Sequence, residues 1–288
     1  MKLLSLSLCL EVIKMKNKSL IIILITLLTT LCIGLIIFMI GMINGSFHMP
    51  NLFHITTSNQ LIIDETYPSI AQITIDETAS DIHIYSTDKK QCRVVVYGDK
   101  DYTNIDMKNK QLSIISKPKQ SFFFNNSSDK IDIYLPKDYK DKINITNNYG
   151  DIKIENFKYS QLDIDNDFGD ISIEEASQAK IKESTGDINI GNIKNINVEN
   201  NFGDTEIENI TGELVIEADC GNINIDRINI NKNSKIKCDL GDVKIHSTNE
   251  IYIDAKVDLG DVHINNNYRH SNTTLNIEVD SGDITIKN

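Results

Sequence analysis

From about residue 140 to the end of the chain, apolar residues keep fixed distances from a recurring glycine. Gly150-Asp151-Ile152-Lys153-Ile154 returns as Gly169-Asp170-Ile171-Ser172-Ile173 and as Gly186-Asp187-Ile188-Asn189-Ile190. Related copies follow at Gly203, Gly221, Gly241, Gly260 and Gly282, and the successive spacings are 19, 17, 17, 18, 20, 19 and 22 residues. Isoleucine stands four residues after every one of these glycines, from Ile154 to Ile286. Further apolar columns lie two after, five before and seven before the glycine, as at Ile152, Ile145 and Ile143, while the positions between are mostly Lys, Glu, Asp, Asn, Ser and Thr. Alternation with β-branched residues on one side predicts half-buried strands, two to each repeat. A period near 19 residues predicts a repeat architecture.

The glycine marks a corner. Apolar positions are odd offsets before it and even offsets after it, and a straight strand cannot change face in that way. The chain must turn there, with glycine adopting positive φ at no steric cost. Asp or Asn follows each of the eight glycines, and Asn, Asp or Ser stands two before it; such side chains bond nearby turn backbone. The residue directly before it is often large and apolar (Tyr149, Phe168, Phe202, Leu240) and is expected to tuck inward under the corner.

A single repeat cannot bury its own apolar stripe, whereas stacked repeats can. The expected fold is therefore all-β: a parallel β-solenoid of about 9–10 short coils, with equivalent strands rising about 4.8 Å per coil. Length variation falls between the strand after one glycine and the strand before the next, so insertions should project from one edge. Ser80-Asp81-Ile82-His83-Ile84 reads as a degenerate further copy with serine at the corner. Residues 91–97, 111–116 and 130–136 are strand-like but less regular, as expected of a terminal segment. Phe122-Phe123-Phe124, in a polar loop, are expected either to cover the core at this end or to form an exposed contact patch.

Ahead of the repeats, Leu20–Ile43 runs 24 residues without a charge, which at about 1.5 Å per residue is long enough to cross a bilayer. Lys14, Lys16 and Lys18 precede it, and the next basic residue is Lys89. The positive-inside rule then places the N-terminus in the cytoplasm and the repeats outside. The run is too long for a signal peptide and lacks a small-residue cleavage site. The organisation read from this is a short cytoplasmic N-terminus over 1–19, a transmembrane helix over 20–43, a linker over 44–69 and an extracytoplasmic repeat domain over 70–288. Met15 makes a cleaner start for an anchored protein than Met1, with 1–14 a spurious extension.

Here the motifs become specific. The segment IDIYLP at 131–136, then I-x-I-x-x-x-x-G-D-I-x-I repeats behind a single anchor, resembles the bacterial putative-adhesin family of β-strand-repeat domains of unknown function, which includes LiaG-like proteins of envelope-stress operons. The resemblance covers about 70–288. It implies the fold, and carries over no catalytic or binding residue.

Charge narrows the partners. Residues 1–44 hold four lysines and one glutamate, which leaves 25 basic and 40 acidic residues, a net of −15, for the rest. A surface this acidic offers no general phosphate-binding site, so nucleic acid is not an expected partner. None of the six histidines lies in a metal spacing, although His246 and His263 fall on polar positions of successive coils. Asp151, Asp170, Asp187 and Asp204 would stack about 4.8 Å apart as a ladder able to attract a hard cation, or simply bond their own turns. Cys220 and Cys238 lie one coil apart but two positions out of register, beyond disulfide reach, and are expected as core filler. No catalytic residue and no cofactor is expected. The leading functional expectation is a non-catalytic surface binding or scaffold module with a membrane anchor. The alternatives are an accessory protein of envelope-stress signalling and, behind it, a carbohydrate-active β-helix enzyme. Because Ile286 lies two residues from the last residue, the final coil is expected either to stay open, giving weak end-to-end self-association, or to be covered by Asn265–Thr274.

Overall fold

The computed structural model describes residues 60–98, 100–116 and 129–287. They lie in one compact unit, Ile55–Asn288. Leu20–Ile43 and Phe122–Phe124 fall outside the described residues. Among the described residues no helix is long and apolar enough to cross a membrane.

Among the described residues twenty strands form a single hydrogen-bonded system. The first seven are β1 (Gln60–Tyr67), β2 (Gln72–Glu77), β3 (Ser80–Thr87), β4 (Cys92–Gly98), β5 (Thr103–Lys108), β6 (Gln111–Ser116) and β7 (Asp129–Pro136). The glycine repeats supply β8 (Lys142–Tyr149), β9 (Ile152–Phe168), β10 (Ile171–Thr185), β11 (Ile188–Phe202), β12 (Thr205–Ile210), β13 (Leu214–Cys220) and β14 (Ile223–Ile228). The last six are β15 (Ser234–Leu240), β16 (Val243–Thr248), β17 (Tyr252–Leu259), β18 (Val262–Ile264), β19 (Thr274–Ser281) and β20 (Ile284–Ile286).

Strands that precede a corner stack on one another, and strands that follow a corner stack on one another. The first ladder runs β5-β6-β2-β8-β9-β10-β11-β13-β15-β19-β17, parallel throughout except at β5–β6. The second runs β1-β4-β7-β3-β9-β10-β11-β12-β14-β16-β20-β18, antiparallel only at β1–β4 and β4–β7. The long strands β9, β10 and β11 belong to both, each contributing its first half to the second ladder and its second half to the first. The result is a solenoid-like stack in which the sequence columns are spatial columns. Ile154, Ile173, Ile190, Ile207, Ile225 and Ile245 stand in register and buried, as do Ile145, Ile164, Ile181, Val198, Ile216 and Ile236. Full burial of each such side chain stabilises by about 1.5–3 kcal/mol, and repetition turns one pattern into the whole core. A third column, Phe157, Ala176, Ile193, Ile210 and Ile228, closes the connecting side.

Spatial order departs from chain order at both ends. The β2–β3 coil lies between the coils of β6–β7 and β8–β9. The β19–β20 coil lies between β15–β16 and β17–β18. The expectation that the final coil ends the stack, whether open or covered by Asn265–Thr274, is therefore corrected: Ile284 and Ile286 are buried, with strand neighbours on both sides. The coil that ends the stack is β17–β18. The long spacing before Gly282 serves this arrangement, because residues 265–273 must carry the chain back across a coil. On the way they also cover part of the end, with Asn267 bonding the backbone of Ile253 through its side-chain amide.

Candidate functional site

The corners form one line along the stack, and that line carries the most distinctive surface of the protein. Gly169 adopts a φ of 135°, a region closed to most side chains, and a Cβ on it would run into the carbonyl oxygen of Gly150. Gly150, Gly203, Gly221, Gly241, Gly260 and Gly282 also have positive φ. Gly186 does not, yet a Cβ there would collide with the carbonyl of Gly169. Close stacking of corner on corner thus excludes a side chain even where the dihedral would allow one. The corner of Gly150 rests on Ser80.

Behind the corner, inside the stack, stands a polar column in a position whose parity suggests an apolar one. Asn147, Asn166 and Asn200 are almost fully buried. Each donates from its side-chain amide to the carbonyl of its own corner glycine, at 3.2, 3.2 and 3.0 Å. These bonds satisfy carbonyls that the turn removes from the ladder. Glu183 fills the same place in its coil, accepting from the Asn166 amide at 2.9 Å and from the Thr185 N–H at 3.0 Å. Burial pushes the Glu183 carboxyl up from its usual range to about 7, against the opposing effect of those two donors. Glu77, in the coil of Ser80, is buried as well and is also raised to about 7, chiefly by desolvation. This buried polar column was missed in the sequence, although its trace is there: Asn, Asn, Glu and Asn recur three residues before Gly150, Gly169, Gly186 and Gly203.

In front of the corner, the acidic residues make a continuous hydrogen-bonded ladder. The Asp170 N–H donates to Asp151 Oδ1 at 3.0 Å, that of Asp187 to Asp170 at 2.9 Å, and that of Asp204 to Asp187 at 2.8 Å. The chain of bonds begins at Asp81 and continues through Asn222, Asp242 and Asp283 to Asp261. The N–H of Asp283 and the ammonium of Lys244 hold the Asp242 carboxyl below its ordinary range. Each carboxylate is thus aimed at the backbone of the next coil. Among the described residues no three His, Cys, Asp or Glu side chains are grouped so as to hold a metal ion.

The residues directly before the glycines overturn the expectation that they face inward. Tyr149, Phe168, Phe202 and Leu240 are 46–56 % exposed, and Leu259 is 71 % exposed. By −1 the chain has begun its turn, which swings the side chain out while the residue three before the glycine takes the inner place. Tyr149 and Phe168 stack nearly parallel at 5.1 Å. Cys220, half-buried, stands in this row between Phe202 and Leu240 rather than in the core, while Cys238 is buried opposite Ala218. The row of Tyr149, Phe168, Thr185, Phe202, Cys220, Leu240, Ser281 and Leu259 spans eight coils, about 34 Å at 4.8 Å per step. It is flanked on one side by Asp167, Asp219, Asp239, Asp258 and Asp280, and on the other by the aspartate ladder. A largely apolar ridge, interrupted by Thr185 and Ser281, thus lies beside the aspartate ladder, while Asn148, Ser184 and Asn201 interrupt the acidic row on its other side.

Two other surfaces are less continuous. A shallow groove of about 620 Å³ opens over Gly191 on the outer face of β9–β12, β14 and β16, bordered by Glu174, Glu206, Glu208 and Asp226. Glu174 is held by the Asn156 amide at 2.6 Å and Asp226 by His246 Nδ1 at 3.0 Å. His246 and His263 do not meet, because β20 lies between their strands. On the outer face of β3 and β7, His83, Tyr85 and Tyr134 form a stacked run with centroid separations of 3.6 and 4.6 Å.

Repeated coils, an outward ridge and no grouped metal-binding side chains among the described residues define the class: a solenoid-like repeat domain whose distinctive surface is a ridge. The chain belongs to the Toastrack family, DUF4097, whose model matches residues 70–287. No curated protein sequence matches it. Similar solved structures include a putative adhesin from Bacteroides fragilis, 13 % identical, covering 80 % of this chain and 98 % of that one with a TM-score of 0.36. Another is a putative lipid binding protein from Parabacteroides distasonis, 15 % identical, covering 77 % and 94 % with a TM-score of 0.39. A third is a putative cell adhesion protein from Clostridium sporogenes, 14 % identical, covering 79 % and 99 % with a TM-score of 0.27.

Proposed function

We propose that this protein is a non-catalytic binding or scaffold module, anchored in the membrane by Leu20–Ile43 with its repeat domain outside the cell, and that the corner ridge is its contact surface. The observation that carries the reading is the exposed, largely apolar row beside the aspartate ladder. Isolated exposed apolar side chains are ordinary, but five large ones aligned within eight coils, Tyr149, Phe168, Phe202, Leu240 and Leu259, mark an interaction surface. The flanking carboxylates select a partner that offers apolar groups bordered by cationic ones, and they disfavour an anionic lipid surface or a nucleic acid. The anchor reading is supported by the uncharged 24-residue run and the lysines before it.

Photo-crosslinking in intact cells tests the surface. A photoreactive residue at Phe202 is expected to yield discrete adducts that the same residue at Asn224, on the outer face of β14, does not. Equal adduct patterns from the two positions would remove the ridge from the proposal.

A further inference from the structure

The end of the stack at β17 and β18 carries an inference that does not depend on the ridge. In interior coils the apolar columns are closed on both sides. Here Ala255, Val257 and Ile264 are only partly covered, Leu259 is 71 % exposed and Val262 40 % exposed. Among the described residues β17 has one strand neighbour, β19, and β18 has one, β20. The outer edge of β17 is therefore available to another strand along most of its length.

The edge is closed at its start. Asn267 accepts from the Ile253 N–H at 2.9 Å and donates to the Ile253 carbonyl at 2.8 Å, standing in for a strand residue. Backbone groups alternate in direction along a strand, so the groups that turn outward after Ile253 are those of Ala255 and Val257. We propose that the occupant is a second copy of this chain, its β17 pairing antiparallel with this β17 about a two-fold axis through Val257, so that Val257 faces Val257 of the second copy. Two observations select that register. Placing Ala255 opposite Ala255 would bring Val257 against Ile253, where Asn267 already lies. Centring the axis on Lys256 would oppose Lys256 to Lys256 and Asp254 to Asp258. The register through Val257 sets Lys256, which pairs with Asp258 of its own strand at 2.9 Å, also against Asp258 of the second copy on both sides of the axis, and opposite charges across a strand pair stabilise it while like charges destabilise it. The pairing also covers the partly open Ala255 and Val257. It is closed by its own symmetry, so β17 edges join two copies and no more.

Cysteine crosslinking of the full chain in neutral detergent tests the register. Directly opposed residues of an antiparallel pair stand about 5.5 Å apart at Cα, within disulfide range. Under mild oxidation Val257→Cys is expected to give a reducible dimer. Ala255→Cys, whose counterpart in the second copy is displaced by about 13 Å along the strand, is expected to give no more than the wild-type background. Adding Lys256→Glu to Val257→Cys should cut the dimer yield several-fold. Equal crosslinking at 255 and 257, no dimer at 257, or no effect of Lys256→Glu would overturn the proposal. Sedimentation of the wild-type chain guards against a folding defect in the variants: a strict monomer at high micromolar concentration would overturn it as well.

Discussion

The amide of Gly241 donates to the carbonyl of Ser281 at 3.0 Å, forty residues further along the chain, and not to Leu259 in the next repeat. Gly282 in turn donates to Leu259, also at 3.0 Å. These two bonds record the interleaving: the last repeat lies inside the stack and the one before it closes the end.

Equivalent positions in the two coils should therefore differ in their sensitivity to truncation. Ile284 is buried between Val243 and Val262, whereas Val262 has one neighbour and is 40 % exposed. Ile284→Ala is expected to destabilise by about 2–5 kcal/mol. Val262→Ala is expected to cost about 1 kcal/mol or less. Urea unfolding of both variants beside wild type checks this, and equal losses would contradict the interleaved order.

A pH dependence follows from Glu183. Its folded-state pKa is about 7 against an ordinary value of 4.5. Between those values the folded state holds a proton that the unfolded state has released, so stability falls as pH rises through this window. Glu183→Gln removes the titration while leaving one accepting oxygen for the two donors. Its stability relative to wild type should therefore rise by on the order of 2 kcal/mol between pH 5 and pH 8, read as a melting-temperature difference that grows with pH. A constant difference across that range would mean that the carboxyl does not titrate there.

The aspartate ladder should tolerate an amide and not a methyl. Asn222 already occupies one rung, and its Oδ1 accepts from the Asp242 N–H at 3.0 Å. Asp170→Asn is accordingly expected to be near neutral, while Asp187→Ala removes a bond and should cost about 0.5–1.5 kcal/mol. Since the ladder points its oxygens at backbone, titration with Ca²⁺ should give neither binding heat nor a melting shift. A saturable heat signal lost in Asp187→Ala would restore a cation-binding role.

The proposed orientation in the membrane predicts the behaviour of Cys220, which is half-buried on the ridge while Cys92 and Cys238 are buried. A membrane-impermeant maleimide added to intact cells should label the protein, and Cys220→Ser should abolish the labelling. Labelling that appears only after lysis would place the repeats inside.

The columns five before and two and four after the glycine were legible because each coil repeats one physical requirement, β-branched residues on the buried side of a strand. The outward row was not, since Tyr149, Phe168 and Phe202 share the parity of buried positions and only the geometry of the turn decides their side. The order of the last two coils was also hidden. The repeat pattern fits Ile264 beside Ile245 as well as it fits Ile286, the neighbour Ile245 has, so the sequence is degenerate in neighbour choice. The distinguishing signs are indirect: the 22-residue spacing before Gly282, and the small side chain of Ala255 where the other copies carry Ile or Val. Among the candidate site residues, the glycines could be read because stacking admits no Cβ, whereas the polar column of Asn147, Asn166 and Asn200 occupies a place that alternation reserves for apolar groups.

Interleaving also changes how the stack answers to pulling. A terminal strand bonded along one edge can be peeled away one hydrogen bond at a time. Strands β19 and β20 are bonded along both edges, so a load applied beyond Ile286 meets two ladders at once and must shear them together. At the other end β2 and β3 are gripped in the same way between β6–β7 and β8–β9. Traction from the N-terminal side is different: it meets β1 first, which among the described residues is bonded along one edge only, to β4, so that strand peels before the gripped coil of β2 and β3 yields.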